Sequence, residues 1–158
     1  MQTEILADLR ALIVEYLQTT RMMQLATCID DHPWCCNVWY GFDGDLNLYW
    51  FSSATRRHSI EVTRNPHVAG AIVLPQTPED TPRGLQFEGI AERLTSDADI
   101  ERAKEVYVGR IFPAQRVAEL RASPTKAHDF YRIIPSMFVL FDAVHYPDNS
   151  RREYRMPS

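Results

Sequence analysis

The fold is decided by residues 22–51, which read MMQLATCIDDHPWCCNVWYGFDGDLNLYWF. Apolar residues recur at every second position in residues 22–29, as on one face of a β-strand, and a polar Asp-Asp-His-Pro stretch ends the run. An Asp-Gly dipeptide at 43–44 separates two further aromatic-rich runs, residues 34–42 and 45–51, and is a strong hairpin signal. We therefore predict three antiparallel strands in a meander.

Outward from this meander, the sequence predicts three more strands and a few helices. The strands fall at residues 67–74, 84–94 and 129–144, and an amphipathic helix covers about residues 3–19. Ser96 and Pro113 are suitable starts for two later helices. Six antiparallel strands with few helices indicate a mainly β (α+β) fold, closed into a small barrel that removes exposed strand edges. We predict one domain over residues 1–158, with an N-terminal helix at 1–20, peripheral helices, and a polar tail at 147–158.

Composition excludes several classes of protein. The 158 residues are 45% hydrophobic and 24% charged with a net charge of −4, so the basic footprint of a nucleic-acid-binding protein is missing. No apolar run approaches 18 residues, and the N-terminus lacks the pattern of a secretory signal, so we expect no membrane association. Three cysteines do not indicate a disulfide framework. We expect a reduced, cytoplasmic protein.

The stretch after the third strand, residues 52–66, is rich in hydroxyl groups and cations: SSATRRHSIEVTRNP. It is predicted to open a short helix, where unpaired backbone N–H groups and the positive end of the helix dipole favour an anion. Arginine adds forked donors that suit phosphate. The candidate residues are Ser52, Ser53, Arg56, Arg57 and His58. Because an aromatic strand leads into them, we expect the phosphate to carry a flat organic group.

Other chemistry has weaker support in the sequence. Cys28, His32, Cys35 and Cys36 do not follow a known zinc spacing, and adjacent cysteines on a strand point to opposite faces, so we expect no metal site. No nucleophile–base pattern is visible, and the catalytic residues are left unassigned.

The motifs in their order resemble the pyridoxamine 5′-phosphate oxidase-like split β-barrels. The likeness covers about residues 20–146, and it is closest to a small, functionally uncharacterised bacterial branch. The shared features, from the N-terminal side onward, are Trp34-Cys35-x-Asn37, Arg57-His58, Asn65-Pro66-His67-Val68, Arg83 to Gly89, Gly89 to Leu94, and Tyr107-x-x-Arg110-x-Phe112-Pro113.

This resemblance implies an FMN-binding homodimer with the flavin in a cleft between subunits. Arg57 corresponds to the family's phosphate-binding arginine, and His58 occupies the place of its phosphate-binding lysine. Ser52 and Ser53 stand where a Thr-Asn pair lines the same site. The strand along the isoalloxazine ring is represented by Asn37, Val38 and Trp39, and Phe51 completes the cofactor-binding set.

Two departures from the family pattern concern the phosphate site. Cys36 stands where the oxidase has a further phosphate-binding arginine, and His58 is a poorer permanent cation than the lysine whose place it takes. Arg56 could compensate for either loss. The oxidase's substrate-binding arginine and histidine set is absent, so we do not expect oxidation of pyridoxamine phosphate. The leading hypothesis is an FMN-dependent oxidoreductase acting on an unidentified small molecule. The alternatives are a non-catalytic flavin carrier or sensor, and a flavin-free relative that binds another ligand such as haem.

For two segments the sequence is compatible with either a structural or a functional role. The helix end from Tyr107 to Pro113 either packs an aromatic ring beneath it or reaches over the partner subunit's flavin. The arginine-rich run 151–155 is either a solvated tail or a closure over the anionic end of a substrate.

Overall fold

The computed structural model describes residues 2–157, with side chains from Asp8 onward; Met1 and Ser158, the ends of the predicted domain, lie outside the described residues. The helices are α1 (Gln2–Thr19), α2 (Arg57–Arg64), α3 (Asp97–Tyr107) and α4 (Ala114–Arg121). The strands are β1 (Met22–Ile29), β2 (His32–Phe42), β3 (Leu48–Ser53), β4 (His67–Val73), β5 (Arg83–Arg93), β6 (His128–Asp142) and β7 (Arg151–Arg155).

The strands form one antiparallel sheet in the order β3-β2-β1-β4-β5-β6-β7, and an additional β3–β6 pairing closes the first six into a ring. The 15-residue strand β6 makes this closure possible. Its first part, residues 128–133, pairs with β3, while residues 137–141 pair with β7 along the length that β3 leaves uncovered. The barrel is therefore closed at one end and splayed at the other, as predicted for a split β-barrel.

The predicted count of six strands is wrong by one, because the arginine-rich tail contains β7. Within it Tyr154 is buried and packs with the barrel core, while the residues on either side face outward. Arg151 and Arg155 both form ion pairs with Glu153 on the exposed face, while Arg152, on the face of Tyr154, lies over the Tyr146 ring. The strand β7 was missed because it has one buried aromatic residue among arginines, and so lacks the alternation of apolar and polar residues that predicts a strand.

Two hydrophobic clusters divide the interior. The larger fills the barrel and includes Trp50, whose ring stacks on Tyr131 with centroids 4.8 Å apart. The smaller lies between β3, β6 and the helices α3 and α4, and contains Tyr49, Phe51 and Phe130. Residues 48–51 of β3 thus alternate between the two cores, which is why all four are buried.

Arg110 attaches helix α1 to the barrel. Its Nη2 donates to the carbonyl oxygens of Leu17 and Thr20, at 2.8 Å each, and its Nε donates to the carbonyl oxygen of Tyr40 at 3.3 Å. Because the last carbonyls of a helix have no intrahelical partner, the guanidinium closes the C-terminus of α1. The motif that begins at Tyr107 therefore has a structural role, with Phe112 packed edge-on against the Tyr107 ring.

Within residues 2–157, no helix combines the length and the hydrophobicity that a membrane span requires.

Candidate anion-binding site

The start of helix α2 lies directly after the end of β3. Arg56 occupies the N-cap position in an extended conformation, and no side chain caps the helix there. The first hydrogen bond of α2 runs from the N–H of Ile60 to the carbonyl of Arg56. The N–H groups of Arg57, His58 and Ser59 therefore have no intrahelical partner. An uncapped start with its N–H groups aligned is a suitable place for an anion.

The hydroxyl groups predicted for this site are present beside the helix start. The Ser52 hydroxyl lies 2.8 Å from Nε2 of His58, and the Ser53 hydroxyl lies 2.9 Å from that of Thr55. Both serines are buried, whereas Thr55 is exposed. The structure therefore brings Ser52, Ser53 and His58 together with the two arginines.

The two arginines are held differently. The Nε of Arg57 donates to the Glu61 carboxylate at 2.7 Å, one helical turn along, and its guanidinium lies over the Trp34 ring, 4.1 Å from the centroid. Arg56 is exposed and forms no ion pair with any side chain from Asp8 to Pro157. Arg57 is thus held in place with part of its charge neutralised, whereas the guanidinium of Arg56 is available to a ligand.

Glu61 is a buried carboxylate whose oxygens accept from Arg57 and from the hydroxyl of Thr27 on β1. Burial acts to raise the pKa of Glu61, but the hydrogen bonds from Thr27 and Arg57, together with the charges of Arg57 and Arg64, lower it below its usual value. The group is therefore ionised at neutral pH and fixes the guanidinium of Arg57.

Two further groups at the site are neutral at pH 7. Burial and the nearby charge of Arg56 lower the pKa of His58, against a smaller opposing effect of Glu61. Burial, with Cys35 and Glu61 nearby, raises the pKa of the Cys36 thiol to about 11. Cys36 thus contributes no charge where the family pattern has an arginine, and His58 contributes none until it gains a proton.

The other predicted cofactor-binding residues do not share one surface. Asn37 and Trp39 lie on the outer face of β2, where the Asn37 side chain accepts from Gln24 at 3.1 Å and Trp39 is 45% exposed. Val38 faces the barrel core, and Phe51 packs on Phe130 in the second cluster with ring centroids 4.5 Å apart. Val38 and Phe51 can reach a ligand only through their backbone or edges.

Sequence reasoning missed three residues of the site: Thr27, Trp34 and Glu61. The i, i+4 spacing of Arg57 and Glu61 was a usable signal, because such pairs face each other on a helix. Thr27 and Trp34 are opposite each other in the β1–β2 register, which the sequence does not fix. From Asp8 to Pro157, no group of three His, Cys, Asp or Glu side chains is arranged to hold a metal ion.

The outer face of the sheet carries two shallow depressions side by side. Small residues line both, including Ala26 and Ala69, and Gly70 contributes to one of them. Gly70 makes room inside the barrel, since a Cβ at this position would clash with the ring of Phe87 in the core. Trp39 stands exposed on the same face.

A split β-barrel with a short helix directly after its third strand defines a class of proteins, and the comparisons agree with this class. Residues 9–129 match the pattern of the family described as Pyridoxamine 5'-phosphate oxidase. The chain belongs to this family. It is 33% identical over 95 residues to a UPF0306 protein of Photorhabdus laumondii, covering 59% of this chain and 66% of that protein. A UPF0306 protein of Klebsiella pneumoniae is 30% identical over 111 residues, covering 70% of this chain and 74% of that protein.

Solved structures show the same fold. A putative pyridoxamine 5'-phosphate oxidase from Listeria innocua superposes with a TM-score of 0.63 at 25% identity, covering 84% of this chain and 97% of that one. A haem-binding protein from Mycobacterium smegmatis gives 0.68 at 18% identity, covering 89% and 57%. An FAD-binding protein from Mesorhizobium loti gives 0.61 at 18% identity, covering 82% and 88%. Proteins of this fold therefore include both flavin and haem binders.

Proposed function

We propose that the protein binds FMN non-covalently, with the phosphate at the start of α2, and acts as a flavin-dependent oxidoreductase on a small molecule. The observation that carries this proposal is the uncapped helix start, where Arg56, Arg57 and His58 meet the hydroxyls of Ser52 and Ser53. Membership of the oxidase family and the FAD-binding structural neighbour support a flavin over other phosphate-bearing ligands.

The donors at this site fit a phosphate group. Three backbone N–H groups without intrahelical partners and the positive end of the α2 dipole favour negative charge. Arg56 supplies an unpaired guanidinium, and Arg57 keeps its Nη atoms while Glu61 binds Nε. When bound, the flavin ring would supply the two-electron redox chemistry. The protein's own residues would anchor the phosphate and orient the ring, since none of these side chains is assigned an acid–base step.

The same proposal includes a homodimer formed through the outer face of the sheet. Small residues on β1 and β4 make this face flat enough for close approach, and Trp39 and Met137 provide larger apolar contacts. A stable interface buries about 800 Å² on each partner. A second copy on this face would create the cleft that the isoalloxazine ring needs, beside the outward side chains of Asn37 and Trp39.

A visible absorption spectrum tests the proposal directly. The purified protein is incubated with FMN, passed through gel filtration, and measured against a column calibrated for monomer and dimer. We expect a flavin spectrum in a dimeric peak, and bleaching by a nicotinamide donor would then establish redox activity. Flavin that is retained but not reduced by any donor would instead indicate a carrier or sensor.

A flavin-free relative is the second candidate, and the charge balance at α2 favours it. Cys36 replaces a cation with a neutral thiol, and Glu61 neutralises much of Arg57, so the site holds less positive charge than the family pattern. The haem-binding neighbour from Mycobacterium smegmatis shows that this fold accommodates another ligand. A protein that lets FMN pass through the column but develops a Soret band with haemin would establish this alternative.

A further inference from the structure

His58 is the one group at the anion site whose charge can change near neutral pH. It stands at the second position of α2, and its Nε2 lies 2.8 Å from the Ser52 hydroxyl. Its other ring nitrogen, Nδ1, makes no hydrogen bond to the residues that the structure describes. A ring held by one nitrogen, with the other unpaired beside an uncapped helix start, is placed to receive a ligand.

The fixed charges around His58 do not balance a phosphate dianion. Arg57 and Glu61 form an ion pair at 2.7 Å and together contribute little. Arg56 adds one positive charge, and the helix start adds about half a charge. A phosphate monoester carries close to two negative charges above a pKa of about 6. The positive charge of these groups is therefore lower than the negative charge of the phosphate by roughly half a charge or more.

Three other ionisable side chains on the neighbouring strands either have partners of their own or carry no charge. Asp129 on β6 lies opposite Ser52 in the register, and its carboxylate pairs with Arg93 at 2.7 Å. His128, opposite Ser53, has its Nδ1 within 2.5 Å of the carbonyl oxygen of Lys126. On β2, the Cys36 thiol stays protonated because burial raises its pKa to about 11.

We propose that His58 couples anion binding to proton uptake: the imidazole is neutral in the free protein and gains one proton from solvent when a phosphate dianion binds. The protonated ring donates through Nε2 to the Ser52 oxygen and through Nδ1 to the phosphate. Affinity then rises as pH falls, by up to tenfold per pH unit while the bound ring is protonated and the free ring is not. This inference rests on the anion site of the proposed function, and it adds a regulation that a lysine at this position would not provide.

Isothermal titration calorimetry with FMN tests the coupling. At pH 7.5 the phosphate of FMN is already a dianion, so titration in two buffers of different ionisation enthalpy reports protons taken up by the protein. We expect at least half a proton per FMN for the natural protein, and less than a fifth for His58→Lys and His58→Gln. Riboflavin, which lacks the phosphate, serves as the matched ligand and should take up none. Equal uptake by the natural protein and His58→Gln would overturn the inference while leaving FMN binding intact.

A second measurement keeps the inference testable if FMN does not bind. Sulfate is a dianion that does not titrate in this range, and NMR of the His58 ring nitrogens follows its protonation. We expect sodium sulfate to raise the pKa of His58 relative to sodium chloride at equal ionic strength. No change would overturn the inference, whereas a rise without FMN binding would contradict only the proposed cofactor.

Discussion

Arg110 at the end of α1 and the arginines at the start of α2 differ in what their donors do. Arg110 donates from Nε and Nη2 to three backbone carbonyls, two at the C-terminal end of α1 and one on β2, so most of its donors are already bound to the fold. At the start of α2, Arg56 has no partner among the described side chains, and Arg57 binds only Glu61 and the face of Trp34. An arginine motif is therefore structural when the fold satisfies its donors, and a candidate for binding when it does not.

The largest effect is expected at the structural site. Arg110→Met removes three partly buried hydrogen bonds, and the carbonyls of Leu17 and Thr20 keep only the Tyr40 hydroxyl as a donor. We expect the free energy of unfolding to fall by about 3 kcal/mol, measured by urea denaturation. FMN affinity should stay within twofold. Arg110→Lys keeps the positive charge but not the forked donors of the guanidinium. Its free energy of unfolding should lie between those of the natural protein and Arg110→Met. Unchanged stability with lost binding would reverse the roles assigned to the two sites.

The contrast also shows how far the sequence can predict this molecule. Strand β1 lies where alternation placed it, at Met22–Ile29. The Asp-Gly hairpin was placed correctly but its length was not: the Asp43 carboxylate accepts from the N–H groups of Asp45 and Asn47, and Leu46 takes a left-handed φ of 66°. These contacts extend the turn, so β3 begins at Leu48 and not at residue 45.

The polar cluster at α2 was predictable as a set of residues but not as a balance of charge. Local sequence places Ser52, Arg56, Arg57 and His58 at one helix start, because a few residues of chain connect them. The i, i+4 spacing is a signal for the Arg57–Glu61 pair, but the burial of Glu61 and the contacts of Thr27 and Trp34 with the pair depend on how α2 docks against β1 and β2. Long-range packing of this kind has no short-range signal.

The second effect concerns the fixed arginine of the binding site. Arg57→Ala removes a charge-assisted donor to phosphate, and we expect FMN affinity to fall roughly 10- to 100-fold, or about 1.5–3 kcal/mol. The matched control is Arg64→Ala at the other end of the same helix, where the exposed pair with Asp30 is worth little. Fluorescence titration of FMN measures both. Equal losses in the two variants would mean that general positive charge, and not the helix start, holds the phosphate.

A third variant separates stability from affinity at the same site. Glu61→Gln removes the charge that fixes Arg57, and we expect a loss of stability of about 1–2 kcal/mol at pH 7. The folded pKa of Glu61 is below its usual value, so its ionisation stabilises the protein above that usual value. This contribution disappears as pH falls through the lower, folded pKa. Urea denaturation should therefore show the two proteins converging in acid.

The same variant should act in the opposite direction on binding. Removing a negative charge next to Arg57 raises the net positive charge of the site, and we expect FMN to bind several-fold more tightly at pH 7. Thr27→Val, which removes the other donor to Glu61 but keeps its charge, is the control and should not tighten binding. A Glu61→Gln variant that binds FMN more weakly would show that fixing Arg57 matters more than the balance of charge.

The smallest effect is expected for the exposed arginine. Arg56→Gln should lower FMN affinity by about 1 kcal/mol or less at physiological salt, because an exposed charge is screened by solvent and ions. The loss should grow at low ionic strength, whereas the loss from Arg57→Ala should change little, because the buried Glu61 carboxylate holds Arg57 in place beside the helix start. Stability should be unaffected, since Arg56 forms no ion pair with the side chains from Asp8 to Pro157. If Arg56→Gln lost as much FMN affinity as Arg57→Ala, independently of salt, Arg56 would be in direct, desolvated contact with the phosphate. Arg56 would then be the functional replacement for the arginine whose place Cys36 takes.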